Sequence, residues 1–133
     1  YYMNLDLYLY FIGRADQSVT EQNVIKRIDQ QLRVTRLMLD CHDLNQVKKQ
    51  SRRLYSYMMH EMALMVCISS IFLYKSGTEE NFRKAKELWA YIKAKDLRTY
   101  RKLRYTTMCA LMLLGRHFSV TVYSIARKVF RFN

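Results

Sequence analysis

Histidine and carboxylate side chains occur together at two places in the sequence that bear on metal chemistry. His60 and Glu61 begin the HExxH pattern, in which two histidines one helical turn apart bind zinc, but the second histidine position is Leu64. Residues 40–43 (Asp-Cys-His-Asp) are all metal-ligand types, yet neighbours on a helix point in different directions. His117 lies in a basic stretch without a nearby carboxylate to orient it as an acid or base. We therefore predict neither a metal site nor a catalytic residue in this chain.

Sequence motifs for phosphate, dinucleotide and nucleophile chemistry are also missing. The chain has no P-loop, no GxGxxG and no GxSxG. It also lacks the DxD pattern with which sugar-nucleotide enzymes hold a divalent cation through carboxylate oxygens. Whatever reaction a larger parent protein performs, we expect its centre to lie outside this chain.

Positive charge is the strongest chemical signal in the sequence. The formal net charge is +12, and the C-terminal part from Leu97 to Asn133 contains no Asp or Glu. Its eight basic residues are Arg98, Arg101, Lys102, Arg104, Arg116, Arg127, Lys128 and Arg131. Such one-sided charge attracts nucleic acid, an anionic membrane surface or a phosphorylated substrate. The alternative is a merely solvated face, but surface helices normally mix both signs.

Composition predicts one helical domain in a reducing compartment. The chain has 133 residues, half of them hydrophobic, with no Pro and only 3 Gly, so chain breakers are few. The three cysteines are isolated and odd in number, which indicates neither a disulfide framework nor a zinc site. Reduced thiols buried in helices fit a cytosolic protein.

The N-terminal segment has the alternation of a β-strand. Residues 5–12 place Leu and Phe on one face and Asp and Tyr on the other, and residues 13–17 form a polar turn. The partners of such a strand would lie outside this chain or in another copy. Ser18 and Glu21 then form a capping box, with Ser18 at the N-cap, for a helix that runs to about Asp43.

A second helix is predicted over residues 45–75, and its second half is apolar nearly all round. His60 and Glu61 interrupt the apolar stretch, and the apolar run after Glu61 is shorter than the roughly 20 residues that cross a bilayer. A buried central helix of a bundle is therefore a better interpretation than a membrane span.

Helix-capping residues predict four more helices. Gly77 ends the second helix, Thr78 caps the third, and Asp96 caps a short fourth through Tyr105. The fifth spans residues 106–114 and stops at Gly115. The last spans residues 119–132 and is predicted to bury Val122, Ile125, Ala126 and Val129. The predicted fold is an all-α bundle of about five to six helices preceded by one short β-strand, divided into residues 1–17 and 18–133.

Three segments resemble bacterial family 2 glycosyltransferases. Residues 8–19 (YLYFIGRADQSV) resemble the strand and turn that close the catalytic domain of these enzymes. Residues 123–133 (YSIARKVFRFN) are similar to the C-terminus of the same subgroup, and residues 88–91 (LWAY) fit its middle. Ala15 replaces the commoner acidic residue. The resemblance implies that this chain is the last strand of a catalytic domain plus the helical region behind it.

The family's chemistry would then lie upstream of this chain. The resemblance implies a GT-A domain that binds a nucleotide-diphosphate sugar and a divalent cation, Mg or Mn, before Tyr1. In the turn, Arg14 would lie near the donor diphosphate, and Gln17 and Ser18 would add neutral hydrogen-bond donors. The alternative is that Arg14 only shapes the turn and Ser18 only caps a helix.

The implied function is an accessory, acceptor-side or oligomerisation region of an enzyme that builds a cell-surface polysaccharide. Its basic residues would dock on the anionic inner leaflet, which predicts a cytoplasmic protein peripheral to the membrane. Beside them, aromatic residues would either insert into the membrane or belong to the core: Tyr105, Phe118, Tyr123, Phe130 and Phe132. The expected partners are the upstream catalytic domain, a nucleotide sugar, the membrane surface and a second copy. A ligand-free oligomerisation bundle and a nucleic-acid-binding module are alternatives, the latter without a recognised motif.

Overall fold

The computed structural model describes residues 20–130, apart from the side chains of Thr107, Met108, Leu111, Leu113 and Phe130. In that range every regular element is a helix, which confirms the all-α prediction. The α-helices are α1 (Glu21–Lys26), α2 (Ile28–Asp40), α3 (Leu44–Gln50), α4 (Arg52–Lys75), α5 (Glu79–Lys95), α6 (Leu97–Arg104), α7 (Thr107–Ala110) and α8 (Arg116–Phe130), with a 3₁₀ helix at Leu111–Leu114 between α7 and α8. The predicted strand and turn, with Arg14, Gln17 and Ser18, lie outside the described residues, as does Arg131.

Two predicted long helices are each divided by one non-helical residue. The first breaks at Arg27 (φ −107°, ψ 25°), between α1 and α2, and ends at Asp40 rather than Asp43. The second breaks at Ser51 (φ −152°, ψ 115°), between α3 and α4, where the Ser51 hydroxyl accepts a hydrogen bond from the Leu54 amide. Serine competes with the helix for backbone hydrogen bonds and so favours a cap over a helix interior.

The predicted helix ends between α4 and α6 are confirmed. Gly77 has a φ of 74°, the left-handed conformation that ends many helices. The Thr78 hydroxyl accepts from the Asn81 amide at 3.3 Å, and the Asp96 carboxylate accepts from the Arg98 and Thr99 amides at 2.9 and 3.2 Å. These caps end one helix and begin the next at the two turns after which α5 and α6 pack onto α4.

Helix α4 is the centre of the bundle and contacts each of the other seven α-helices. Val66 and Leu73 of α4 are fully buried, as are Leu88 of α5 and Leu103 of α6. By length and composition α4 would also suffice to cross a membrane, but half of its most apolar stretch is buried inside the bundle, and a core helix of a soluble protein passes the same test. The prediction that this segment is a buried central helix agrees with these contacts.

The face that the C-terminal helix turns inward is only partly the predicted one, since Val122 and Ala126 are partly buried as predicted but Ile125 and Val129 are not. Ser119 is 3 % exposed and Tyr123 and Ala126 are partly buried, whereas Ile125 and Val129 are 57 % and 67 % exposed. The prediction that Ile125 and Val129 point inward is therefore wrong. Helix α8 carries two adjacent apolar stripes, and the small Ser119 side chain lets the other stripe approach the core.

The cysteines differ in accessibility, which predicts their reactivity. Cys67 and Cys109 are buried and Cys41 is exposed, contrary to the expectation that all three thiols are buried. We expect one of the three thiols to react quickly with a thiol reagent in the native protein, and the other two only after unfolding. Counting fast-reacting thiols by absorbance checks this, with Cys41→Ser as the control that removes the fast phase. Fast reaction of two or more thiols in the wild type would contradict the packing of α7 on α4.

Candidate anion-binding surface

The predicted basic residues do not form one patch, because the structure places them at opposite ends of α4. Lys102 of α6 contacts Tyr55, near the start of α4. Tyr123 of α8 packs edge-on against Phe72, near the end of α4, with ring centroids 6.0 Å apart. Tyr55 and Phe72 are separated by about 25 Å along the helix, at roughly 1.5 Å per residue. The α6 and α8 cations therefore belong to separate surfaces.

At the α8 end the cations are largely engaged within the protein. Arg127 Nη1 lies 2.6 Å from a carboxylate oxygen of Glu21. The Arg116 guanidinium lies 4.3 Å from the centre of the Phe82 ring and 3.9 Å from Glu79. Within the described part of the chain, Lys128 is the α8 cation that is exposed without a carboxylate partner. This end is weaker as an anion-binding surface than its sequence indicates.

At the α6 end the cations are exposed and share one face. Arg98, Lys102 and Tyr105 follow one another at helical spacing, and Arg101 lies beside them. The Tyr105 side chain is 73 % exposed, so it is not part of the core. Arg104 is the exception, since its guanidinium stacks 5.1 Å from the Trp89 ring and is partly buried. This contact gives Arg104 a packing role. It does not favour the prediction that Arg104 belongs to the binding surface.

Further cations reach the same place from α3 and α4. Lys48, Lys49, Arg52 and Arg53 are all exposed and surround the break at Ser51. They were not among the predicted surface residues, although four basic residues within six positions without an acid were a readable signal. Two of them, Lys48 and Arg52, together with Tyr55 and the α6 cations make up the Tyr55 surface, defined as Lys48, Arg52, Tyr55, Arg98, Arg101 and Lys102.

Tyr55 is the point where two of these cations converge. Lys102 Nζ donates a hydrogen bond to the Tyr55 hydroxyl at 2.8 Å and lies 4.6 Å from the ring centre. Lys48 Nζ approaches the same ring to 5.8 Å. Attraction to the ring quadrupole holds each ammonium group. In residues 20–130 neither lysine has a carboxylate within ion-pair distance.

Helix ends add to the positive potential at the Tyr55 surface. Lys48 and Lys102 lie in the last turns of α3 and α6, where cations complement the helix dipole. Arg52 and Arg53 lie at a helix N-terminus, in the first turn of the 24-residue α4. This first turn contains no acidic residue. Cations are unfavourable there, because the dipole is already positive. Helix stability therefore explains in part why the two lysines occur at these positions. It does not explain why the two arginines occur in the first turn of α4.

Three carboxylates line one groove, and one of them, Asp96, lies two residues from Arg98 of the Tyr55 surface. Hydrogen bonds from Lys95 and Tyr91 lower the pKa of Asp40, and the Lys95 charge adds to the effect. Asp40, Asp43 and Asp96 line a groove of about 300 Å³ between the ends of α2 and α5 and the starts of α3 and α6. Their oxygens serve the Tyr91 and Lys95 contacts and the helix caps of α3 and α6. Among the described residues, no group of three or more His, Cys, Asp or Glu could hold a metal ion.

Comparison of this chain with protein-family models, curated proteins and solved structures finds no match.

Proposed function

We propose that this chain is a non-catalytic helical region that docks its parent protein on an anionic membrane surface through the Tyr55 surface. The observation that carries the proposal is the convergence of cations from α3, α4 and α6 at one end of α4 without an ion-paired carboxylate among the described residues. Each basic residue near an anionic leaflet contributes roughly 1 kcal/mol to binding. A few such residues are enough for reversible attachment.

The parent protein in this proposal is a family 2 glycosyltransferase. The resemblance of residues 8–19, 88–91 and 123–133 motivates it. Arg14, Gln17 and Ser18 would then lie near the donor diphosphate, and Mg or Mn would be bound in the upstream catalytic domain. Peripheral docking fits such an enzyme because lipid-linked acceptors are presented at the cytoplasmic leaflet. An assay of sugar transfer from nucleotide-diphosphate donors by the parent protein tests this part. If neither sugar transfer nor donor hydrolysis occurs with any pair of donor and acceptor, the glycosyltransferase assignment is contradicted.

A vesicle-binding experiment tests the docking proposal. We expect the Arg98→Gln, Arg101→Gln double variant to bind vesicles of phosphatidylserine and phosphatidylcholine about 30-fold more weakly than the wild type, since two residues of roughly 1 kcal/mol each are removed. Flotation over a range of lipid concentrations measures the loss. The Lys128→Gln variant is the single-charge control, for which we expect less than a two-fold loss, because Lys128 is exposed on α8 at the other end of α4.

Three results would contradict the docking proposal. The first is equal binding of the wild type to neutral and anionic vesicles. In the second, Lys128→Gln weakens binding about five-fold, the loss expected for one charge of roughly 1 kcal/mol wherever it lies, which indicates attraction by net charge alone. The third is tight, steeply salt-dependent binding to random DNA with no vesicle binding, which favours the nucleic-acid alternative.

A further inference from the structure

We infer that Lys48, Tyr55 and Lys102 form a specific site for one phosphate oxyanion of the monoester type. The inference rests on the proposed function, because it assigns a ligand to the centre of the same Tyr55 surface. It goes further in one respect. Diffuse attraction between a basic surface and a membrane needs only charge, whereas this site adds the hydroxyl group of Tyr55, whose oxygen is hydrogen-bonded to Lys102.

The geometry at Tyr55 supplies those donors. Lys102 donates to the Tyr55 oxygen at 2.8 Å, so the hydroxyl hydrogen points away from Lys102 and can be donated to a ligand. The ammonium group of Lys102 keeps further N–H bonds for the same ligand, as does that of Lys48. The Tyr55 side chain is only partly exposed, which restricts the ring and therefore the direction of its hydroxyl.

The three residues come from three helices, so their arrangement is set by tertiary packing. Lys48 belongs to α3, Tyr55 to α4 and Lys102 to α6, and α4 packs against both of the other helices. Two ammonium groups within 5.8 Å of one ring centre repel each other. An oxyanion bound at the Tyr55 hydroxyl offsets that repulsion, and the positive end of the α4 dipole and Arg52 favour the same charge.

The charge and donor count favour a phosphate monoester over a diester. A monoester carries a charge of about −2 near neutral pH and presents three terminal oxygens, which matches two ammonium groups and one hydroxyl. A diester carries one charge, so one of the two ammonium charges would not be neutralised. The monoester has two possible sources, a lipid headgroup such as that of phosphatidic acid or a free phosphate in solution. Both would use the same three donors.

Two vesicle compositions with equal surface charge test the site. We expect the wild-type chain to prefer phosphatidic acid vesicles to phosphatidylserine vesicles of matched zeta potential by about ten-fold, because charge-assisted hydrogen bonds add to the shared Coulomb attraction. Tyr55→Phe should abolish this preference while leaving phosphatidylserine binding within two-fold, since it removes only the hydroxyl. Tyr57→Phe is the matched control, because Tyr57 is 61 % exposed on the same helix.

Competition with inorganic phosphate distinguishes the two sources. Displacement of the chain from phosphatidic acid vesicles by millimolar phosphate, but not by chloride at equal ionic strength, supports a site open to free phosphate. A preference for phosphatidic acid that phosphate does not displace, and that Tyr55→Phe abolishes, supports a lipid headgroup site. No preference in the wild type, or an unchanged preference in Tyr55→Phe, overturns the phosphate site. Those two results leave the docking proposal intact as long as anionic vesicles still bind.

Discussion

Replacing Leu73 with alanine should lower the free energy of unfolding by about 2–5 kcal/mol, the largest effect that we expect from a single substitution in this protein. Leu73 is fully buried in the second half of α4, where the bundle packs around that helix. Truncation removes apolar contacts and leaves a cavity that the neighbouring helices cannot fill completely. Urea denaturation followed by circular dichroism measures the loss.

Leu37→Ala is the matched control for this substitution. Leu37 lies on α2 and is 58 % exposed, so the same chemical change should alter the free energy of unfolding by no more than about 0.5 kcal/mol. The pair also tests the role of α4. Equal small losses at Leu73 and Leu37 would show that α4 is not the core of a folded bundle in solution, which would return the membrane-spanning interpretation of Arg52–Lys75 to consideration.

The second large effect is expected at Glu21, where three helices meet. Glu21 of α1 forms ion pairs with Lys75 of α4 and with Arg127 of α8, and its side chain is 14 % exposed. Glu21→Gln removes the negative charge and leaves the two cations facing each other. Hydrogen bonds to charged groups contribute about 1.5–3 kcal/mol, so we expect a loss of about 2 kcal/mol at neutral pH. Chemical denaturation at pH 7 measures it.

The pH dependence of that loss follows from the pKa of Glu21. Burial alone would raise this pKa, but hydrogen bonds from Lys75 and Tyr123 and the charges of Lys75 and Arg127 lower it below its ordinary value of 4.5. A carboxyl whose pKa is lowered by folding stabilises the native state above its unfolded pKa. The contribution is lost as the pH falls through the lowered native pKa. The difference between wild type and Glu21→Gln should therefore shrink below pH 4.5.

Asp29→Asn is the control for charge removal without a three-helix junction. Asp29 pairs with Lys84, but its side chain is 74 % exposed, and pairs of this kind contribute at most about 1 kcal/mol. A loss in Asp29→Asn as large as that in Glu21→Gln would contradict the junction. So would a difference between wild type and Glu21→Gln that does not change between pH 7 and pH 3.

Local chemistry explains which parts of the fold were predictable. Gly77, Thr78 and Asp96 act on the backbone within a few residues, so their caps can be read from neighbouring residues alone. The breaks at Arg27 and Ser51 lie inside continuous amphipathic patterns, so periodicity alone predicts one helix in each place, although the Ser51 cap is a local signal. Similarly, α8 has two apolar stripes, and its sequence does not say which one meets the core.

The candidate site was predictable only in part, for a related reason. Arg98, Arg101 and Lys102 stand out because no acid interrupts their segment. Lys48 and Arg52 are about fifty residues away in sequence and join them only because α3 and α6 both pack on α4. Conversely, the acid-free C-terminal segment looks like a single surface in the sequence, and tertiary structure divides it.

The contact between Glu21 and Arg127 also brings the two ends of the described chain together, since one residue belongs to the first helix and the other to the last. Because α1 and α8 are neighbours, the bundle could be inserted into a loop of a host domain without separating these two helices. A circularly permuted chain, opened at Gly77 and rejoined by a short linker between α8 and α1, would keep the same helix contacts.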